Sequence, residues 1–385
     1  MKVFIIAGEP SGDKLGGALM QGLKAQVPEV SFEGIGGERM LEEGLQSLFP
    51  MDEISIMGIT EILRNYGALK ARIRQTAEAV VAAKPDVLIT VDLPEFSLRV
   101  AKLVKETSDI RTVHYVAPTV WAWRPGRAAK MAKHIDQVLA LLPFEPPYME
   151  AAGMRCDFVG HPVVTDPQAD AEEVSNFRRH HGIGDAPLCL ILPGSRRSEV
   201  SRLGPVFGEA LAQLKTQRPD LRYVLPMAGP VADLVKETVS DWPVDPILLD
   251  PREQGEAGKA EKRAAFAAAD VALAASGTVA LELAAADTPM VIAYDMGWLS
   301  RQIIGRLMLV DSVNLVNLVT DSRSVPEYIG DNCRPGPIAE SVLRVLDAPQ
   351  EQRQAMRRTM ELLGKGGPAP GQRAAEAVLA GLREG

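Results

Sequence analysis

The sequence predicts an α/β protein made of two doubly wound parallel-sheet domains that face each other across a cleft. Strand-like and helix-like runs alternate along almost all of its 385 residues, which is typical of parallel sheets covered by helices on both faces. The strand-like runs are almost continuously apolar, as expected for strands buried on both faces. A single sheet holding all of them would exceed about ten strands, which is unusual, so we predict two sheets.

The predicted elements follow the apolar runs in order along the chain. The strands of the first half are Lys2–Ala7, Ser31–Ile35, Val87–Val91, Thr112–Val116, Val138–Leu142 and Asp157–Val159. Those of the second half are Leu188–Leu192, Arg222–Pro226, Pro246–Leu249, Val271–Ala274 and Pro289–Ala293. Apolar residues at helical spacing predict the clearest helices over Tyr66–Ala83 and Pro94–Lys105.

The stretch GHPVVTDPQADAEEVSNF contains the best domain boundary. It carries two prolines, several acids and a helix N-cap signal at Asp170, and the βαβ pattern restarts after it. We therefore predict an N-terminal domain over residues 1–165 and a second domain over residues 166–350. Residues 351–385 are predicted to form C-terminal helices that cross back to the first domain or to a partner chain.

Charge and cysteine content exclude several classes of protein. The formal net charge of the chain is −8. The chain therefore lacks the excess of positive charge with which a dedicated nucleic-acid binder attracts phosphates. Cys156, Cys189 and Cys333 are widely spaced with no Cys-x-x-Cys pair, which indicates neither a disulfide framework nor a zinc site. The first apolar run is too short for a signal peptide, and no run of ~18 apolar residues predicts a membrane span. We expect a cytoplasmic protein without a nucleic-acid partner.

The first strand runs into AGEPSGD and then into a helix-like stretch. A strand, a turn and a helix invite the hypothesis of a dinucleotide fold. The glycines of this region, however, fall at Gly8, Gly12, Gly16 and Gly17. They match neither Gly-x-Gly-x-x-Gly nor a phosphate-binding Gly-Lys-Ser/Thr loop, so no nucleotide cofactor is predicted at the end of this strand.

The strand at 188–192 ends in the motif LPGSRRSEV. Ligands of doubly wound sheets bind beyond the carboxyl ends of strands. Gly194 lets the backbone approach a ligand closely, and Ser195 can cap the next helix or donate to a phosphate oxygen. Arg196 or Arg197 supplies a planar fork that suits a phosphate or a base edge. The helix macrodipole disfavours an arginine at the start of a helix. An arginine that binds an anionic ligand is therefore favoured over a pair of arginines that merely face solvent.

The strand at 271–274 ends in Ser276-Gly277-Thr278, just before a predicted helix. Free backbone N–H groups at such a point can hold an anion. Glu282, about one turn into the helix, would repel a phosphate but can accept two ribose hydroxyls. Together with the LPGSR loop on the same sheet edge, this pattern predicts a cradle for a nucleotide diphosphate.

Two further strand ends in the first half carry candidate site residues. Asp92 follows the strand at 87–91 and precedes Pro94, where a carboxylate either caps a helix or faces a cleft as a general base. The stretch HYVAPTVWAWRPGR places Trp121 and Trp123 beside basic residues, which suits a sugar or an amphiphile. His114 and His161 are alternative bases with better-matched pKa values.

Several motifs resemble those of the lipid-A-disaccharide synthase family, inverting glycosyltransferases of the GT-B type. They are AGEPSGD, HYVAPTVWAWR, LPFE, VGHP, LPGSR followed by EV, and ASGTVALE, in order from residue 7 to about residue 317. The resemblance implies transfer of 2,3-diacylglucosamine from its UDP conjugate to the 6-hydroxyl of 2,3-diacylglucosamine 1-phosphate. The products would be a β-1,6 disaccharide 1-phosphate and UDP.

The resemblance also assigns residues. It implies that Asp92 is the catalytic base, although the family pattern after it has Asp and Asn where this chain has Glu95 and Ser97. It places Glu9 and Ser11 at the reacting sugars. The remaining assignments are Asp13 on the acceptor side, Arg196 on the nucleotide, Glu282 on its ribose, and Asn317 in a Pro-Asn-Leu motif whose proline is here Val316.

Substrates with fatty chains imply contact with a membrane face. The helix-like stretch with Ile59, Ile62, Leu63, Tyr66 and Leu69 has an apolar stripe beside basic residues, which fits either an interfacial helix or a core-facing one. A second basic group comprises Arg124, Arg127, Lys130 and Lys133. We expect peripheral association with the inner face of the cytoplasmic membrane, and a homodimer is an open possibility.

Other functions remain possible at this point. No Asp-x-Asp motif is present to hold Mg²⁺, so we predict neither a metal nor a cofactor. A UDP-sugar 2-epimerase would share the two-domain layout, and a non-catalytic nucleotide-sugar sensor would share the nucleotide cradle.

Overall fold

The computed structural model describes residues 1–55, 59–297 and 308–384, with the backbone alone for residues 59–66, 253, 254 and 256. The chain forms two compact units. The first comprises Met1–Thr165 and Leu363–Gly385, and the second comprises Asp166–Leu362.

The first unit is built on a seven-stranded sheet in the order β3-β2-β1-β4-β5-β6-β7, with all strands parallel. The strands are β1 (Lys2–Ala7), β2 (Ser31–Ile35), β3 (Gln46–Ser47), β4 (Val87–Val91), β5 (Arg111–Tyr115), β6 (Gln137–Ala140) and β7 (Arg155–Phe158). All five residues of β4 are buried, because helices cover both faces of the sheet.

Helices connect these strands. They are α1 (Pro10–Gln26), α2 (Glu38–Glu42), α3 (Ile59–Ala83), α4 (Pro94–Lys105), α5 (Gly126–Met131) and α6 (Pro146–Glu150). Leu69 and Ile73 of α3 are buried in the core beneath the sheet, so this part of the helix faces the core. The predicted apolar stripe at Ile59, Ile62, Leu63 and Tyr66 lies outside the residues whose side chains are described.

The second unit has a six-stranded sheet in the order β10-β9-β8-β11-β12-β13, again all parallel. The strands are β8 (Leu188–Leu192), β9 (Arg222–Pro226), β10 (Ile247–Leu249), β11 (Val271–Ala275), β12 (Met290–Tyr294) and β13 (Glu327–Ile329). Every predicted strand is present in the two sheets within two residues of its predicted bounds, and the short edge strands β3 and β13 are additional.

The first helix of the second unit begins at a well-formed N-cap, Asp170. Asp170 accepts the backbone N–H of Glu173 at 2.8 Å, and the Glu173 carboxylate accepts the N–H of Asp170 at 3.0 Å, which is a capping box. The described helices are α7 (Ala171–His180), α8 (Arg197–Gln217), α9 (Ala232–Ser240), α10 (Pro251–Ala268), α11 (Val279–Ala285), α12 (Leu315–Thr320), α13 (Pro335–Asp347) and α14 (Gln350–Leu362).

The last helix, α15 (Pro370–Glu384), belongs to the first unit and packs against α1. Gln137 donates to the carbonyl of Ala377 at 2.9 Å, and Arg373 donates to the carbonyl of Phe158 at 2.9 Å. The C-terminal segment is therefore divided, because α14 belongs to the second unit and α15 to the first. Among the described residues, no helix is both long and apolar enough to cross a bilayer.

Candidate active site

The predicted motifs follow the strands at which each sheet changes direction. In the first sheet β1 lies between β2 and β4, and in the second β8 lies between β9 and β11. Ligands of open α/β sheets bind outside the carboxyl ends of strands at such switch points. The loops with Glu9 and Asp92 follow β1 and β4, and those with Ser195 and Ser276 follow β8 and β11.

A cavity of about 440 Å³ lies at the switch point of the second sheet. Its lining brings together most of the residues predicted for the nucleotide, namely Gly194, Ser195, Arg196, Ser276, Gly277, Thr278 and Glu282. The lining also includes three polar or aromatic residues that were not predicted, Glu199, Lys262 and Phe266. We call it the nucleotide cavity after the ligand predicted for it, and all of its lining residues belong to the second unit.

The loop after β8 is shaped by Glu199. Its Oε2 accepts the backbone N–H of Ser195 at 3.0 Å, and its Oε1 accepts Nη1 of Arg196 at 2.9 Å. Gly194 has φ +119°, and a Cβ there would lie 2.5 Å from the Glu199 Cβ, so only glycine fits. The cap of α8 is Arg196 and not Ser195. The Arg196 side chain is 78% exposed, so it is accessible to a ligand.

The opposite wall carries the predicted ribose carboxylate. Glu282 accepts Nζ of Lys262 at 2.7 Å, and the same ammonium lies 5.0 Å from the centre of the Phe266 ring. The hydroxyl of Ser276 lies 3.5 Å from the carbonyl of Val313. Thr278 precedes α11 without a side-chain capping bond, so its hydroxyl remains able to bond a ligand in the cavity.

Asn317 is not among the residues that line this cavity. It is fully buried, and its Nδ2 donates to the Val325 carbonyl and the Glu327 carboxylate, both at 2.9 Å. Its Oδ1 accepts the Val325 N–H at 2.9 Å. The amide thus joins α12 to the segment leading into β13, which is a structural task.

Asp92 lies at the switch point of the first sheet in a strained conformation. Asp92 and Leu93 have φ of 51° and 48°, the left-handed region that non-glycine residues rarely adopt. Such strain concentrates at functional sites. The cap position of α4 is Leu93, so Asp92 does not cap the helix. Burial raises the pKa of Asp92, opposed by a hydrogen bond from the Leu93 N–H, which makes the carboxylate a stronger base.

The loop after β1 lies directly beside Asp92. Ala7 pairs with Val91 at the ends of their strands, and a Cβ on Gly8 would lie 2.3 Å from Cδ2 of Leu93. Glu9 is half-buried and Ser11 is exposed on this edge. The structure therefore places Glu9 and Ser11, at the start of α1, beside the loop that carries Asp92.

Asp13 has a different environment. Its side chain is buried, and its carboxylate accepts the backbone N–H groups of Gly37, Arg39 and Met40 at 2.8, 2.9 and 3.1 Å. These bonds satisfy amides at the start of α2, which would otherwise lack partners. The carboxylate is committed to holding α2 against α1.

The two candidate histidines are also held by internal contacts. Nδ1 of His114 lies 2.8 Å from the Thr90 hydroxyl inside the sheet. Burial, with the charge of Arg127, lowers the pKa of His114 to about 4, so the ring stays neutral near pH 7. Nδ1 of His161 accepts the Val163 N–H at 3.2 Å, and the backbone N–H of His161 donates to the Leu363 carbonyl at 3.1 Å.

The tryptophan loop is anchored by a carboxylate that sequence reasoning did not single out. Glu145 accepts Nε1 of the buried Trp121 at 3.3 Å and the N–H groups of Leu141 and Leu142 at 3.1 and 3.0 Å. Burial raises the pKa of Glu145 to about 7, although these three donors oppose the shift. The Arg124 guanidinium lies 4.2 Å from the ring centre of the half-buried Trp123, a cation–π contact.

Almost the whole chain matches a family of enzymes. Residues 3–379 match the family model described as lipid-A-disaccharide synthetase. The chain belongs to this family. The lipid-A-disaccharide synthase of Ruegeria pomeroyi is 61% identical over 98% of this chain and 95% of its own length. That of Rhodospirillum centenum is 49% identical over 98% and 94%. The predicted family and its enzymatic class are confirmed.

Solved structures confirm the predicted GT-B fold class. A UDP-GlcNAc 2-epimerase from Neisseria meningitidis bound to UDP-GlcNAc aligns with a TM-score of 0.65, covering 100% of both chains at 13% identity. At this identity the likeness concerns the fold alone. The epimerase alternative therefore rests on a shared fold, whereas membership of the synthase family rests on the sequence matches.

Proposed function

We propose that the chain transfers 2,3-diacylglucosamine from its UDP conjugate to the 6-hydroxyl of 2,3-diacylglucosamine 1-phosphate. The products are the β-1,6 disaccharide 1-phosphate and UDP, with inversion at the anomeric carbon. The observation that carries the proposal is the cavity at the β8–β11 switch point, whose lining includes Arg196, Ser276 and Glu282, in a chain of this family.

The nucleotide half of the reaction takes place at this cavity. Glu282 accepts the ribose hydroxyls, and Lys262 beside it offsets the carboxylate's charge. Arg196 turns its exposed guanidinium to the pyrophosphate, because a planar fork pairs with phosphate oxygens. As the glycosidic bond breaks, the leaving diphosphate gains charge, and each well-aimed donor there stabilises the transition state by roughly 2–4 kcal/mol.

The acceptor half of the reaction depends on Asp92. Inversion needs one displacement, in which a base takes the proton of the attacking 6-hydroxyl while UDP leaves from the opposite face. Asp92 has the position and the raised pKa for this role, because a base is most effective when its pKa approaches the working pH. His114 is buried and bonded to Thr90, and Nδ1 of His161 already accepts the Val163 N–H, so we favour Asp92 as the base.

Glu9 and Ser11 complete the acceptor edge beside Asp92. Both are accessible: Glu9 is the N-cap residue of α1, and Ser11 lies in the first turn of that helix, shortly after β1 ends. A half-buried carboxylate and a hydroxyl at this position hydrogen-bond sugar hydroxyls and orient the acceptor. The half-buried Trp123 supplies an aromatic surface after β5, whereas the predicted Trp121 is buried and, bonded to Glu145, holds the loop in place.

The substrates carry acyl chains, so the enzyme works at a membrane surface. Arg124, Lys130 and Lys133 are exposed around α5, and each basic residue near an anionic leaflet adds about 1 kcal/mol of attraction. The protein then associates peripherally with the inner face of the cytoplasmic membrane. Flotation with anionic and with neutral vesicles tests this, and equal binding to both would contradict it. The homodimer stays a prediction, which sedimentation equilibrium measures.

Mass spectrometry of the products tests the reaction. The purified full chain is mixed with a defined UDP-2,3-diacylglucosamine, with or without 2,3-diacylglucosamine 1-phosphate. We expect UDP and a disaccharide 1-phosphate only when both substrates are present. Conversion of the donor without the acceptor would favour an epimerase, and binding without conversion would favour a nucleotide-sugar sensor.

A further inference from the structure

A cluster of metal-binding side chains lies on the second unit, outside the nucleotide cavity. His180 and His181 stand at the end of α7, and Glu261 stands on α10. One ligand atom from each lies within 4.8 Å of the other two. Nε2 of His181 and Oε1 of Glu261 are already 2.8 Å apart. The three residues line a cavity of about 590 Å³ that shares no lining residue with the nucleotide cavity.

The Glu261 carboxylate is only half satisfied. Its Oε2 is buried and has no hydrogen-bond partner among the described residues. A buried carboxylate oxygen without a donor is costly, because the desolvated charge gains nothing in return. A cation bound between this carboxylate and the two imidazoles would give Oε2 the partner that it lacks.

The cavity wall around the cluster is partly apolar. The ring of Phe177 packs on His181 with centroids 4.6 Å apart, and Ala257, Ala260 and Ala264 line the cavity together with the polar Glu173 and Asn176. Apolar groups beside a site lower the local dielectric and strengthen the attraction between a cation and its ligands. The exposed ring of His180 lies edge-on to His181, with centroids 4.8 Å apart.

We propose that His180, His181 and Glu261 bind one divalent transition-metal ion, with Zn²⁺ as the preferred ion. Two imidazoles and one carboxylate form a known zinc ligand set, with water in the fourth position. Mg²⁺ and Ca²⁺ prefer oxygen ligands alone. A tetrahedral zinc holds its ligand atoms about 3.3 Å apart, so His181 and Glu261 separate slightly and the exposed His180 moves inward.

The ion would join α7 to α10. Helix α10 also carries Lys262 and Phe266, which line the nucleotide cavity. Because the ion binds the folded chain through groups from two helices, zinc stabilises the second unit by mass action.

Calorimetric titration of the tag-free full chain with ZnCl₂ tests the site. We expect one zinc per chain and a rise in the midpoint of thermal unfolding. His181→Ala and Glu261→Gln should each weaken binding by at least about ten-fold, as expected on removal of a metal ligand. His134→Ala, a histidine of the first unit, should bind zinc as the unaltered protein does.

His180→Ala keeps the test decisive if the variant at the half-buried His181 or Glu261 fails to fold, because His180 is exposed. It should also lose at least about ten-fold in zinc affinity. Binding of Co²⁺ with the intense visible absorption of a tetrahedral complex would support the ligand set. Absence of stoichiometric zinc binding, or binding that all three variants leave unchanged, would overturn the proposal and leave His181 and Glu261 as an ordinary hydrogen-bonded pair.

Discussion

The carboxylate of Glu199 accepts the backbone N–H of Ser195 at 3.0 Å, across the turn that follows β8. Its side chain is only 11% exposed, and the N–H of Arg196 lies 3.3 Å from the same oxygen. A single side chain therefore fixes the loop that presents Arg196 to the nucleotide cavity. The shape of this loop is set before any ligand binds.

Glu199→Gln should weaken UDP binding by about ten-fold, because a charge-assisted hydrogen bond contributes about 1.5 kcal/mol. The amide keeps the size of the side chain but loses its charge and one acceptor. Isothermal titration with UDP measures the effect. Glu209→Gln, an exposed position on the same helix, is the matched control, and equal affinity in the two variants would contradict a role for Glu199.

Glu282→Gln should weaken binding of uridine and of UDP by a similar factor of about ten. The reason is that Glu282 is proposed to act on the ribose, which both ligands share. Arg196→Ala should instead weaken UDP binding and leave uridine unaffected, because its partner is the pyrophosphate. Competition binding measures both ratios, and a Glu282 effect confined to UDP would refute the ribose assignment.

Asp13→Asn should loosen the start of α2 and leave the chemistry intact. The variant loses about 2 kcal/mol from charge-assisted bonds to Gly37, Arg39 and Met40. Hydrogen exchange should become faster in the peptide that contains these amides, while the turnover number stays within about two-fold. Asp52→Asn, at an exposed position, serves as control. A large fall in the turnover number with unchanged hydrogen exchange would contradict this structural role and support the predicted role of Asp13 on the acceptor side.

Glu145 should make stability fall as pH rises. Its pKa is about 7 in the folded protein against an ordinary 4.5, so the folded state binds a proton more tightly between these values. Its contribution is complete below pH 4.5 and is lost as pH rises through about 7. The unfolding free energy of the native chain, minus that of Glu145→Gln, should decrease by at most about 1.4 kcal/mol per pH unit. Denaturant titrations of both proteins across this pH range measure this difference in unfolding free energy. A difference that rises with pH would contradict the raised pKa of Glu145.

Strand positions could be predicted from the sequence because continuous apolar runs leave little ambiguity. Residues 87–91 are apolar except for Thr90, and all five are buried. The edge strands Gln46–Ser47 and Glu327–Ile329 are two and three residues long and carry polar residues. Their pairing comes from neighbouring strands, so no local pattern indicates them.

Site residues could be predicted from the sequence where a motif directly follows the end of a strand. They were harder to predict where a polar side chain hydrogen-bonds within the protein. Ser195 and Ser276 were found by their positions after β8 and β11. Asp13 stands in an equally suggestive motif, yet its carboxylate binds α2. Glu145 and Glu199 were missed as site residues because their partners are backbone amides and an indole, which the sequence alone does not bring together.

The kinetic and binding behaviour of Asp92→Asn tests the central claim most directly. We predict that turnover of the two defined substrates falls by at least about 10³-fold, within the range for loss of a general base, while the dissociation constant for UDP is unchanged. In the unaltered enzyme, the acid limb of the pH–rate profile should lie above the ordinary aspartate pKa of 3.8. Near-normal turnover by Asp92→Asn, with the same disaccharide product, would contradict the account.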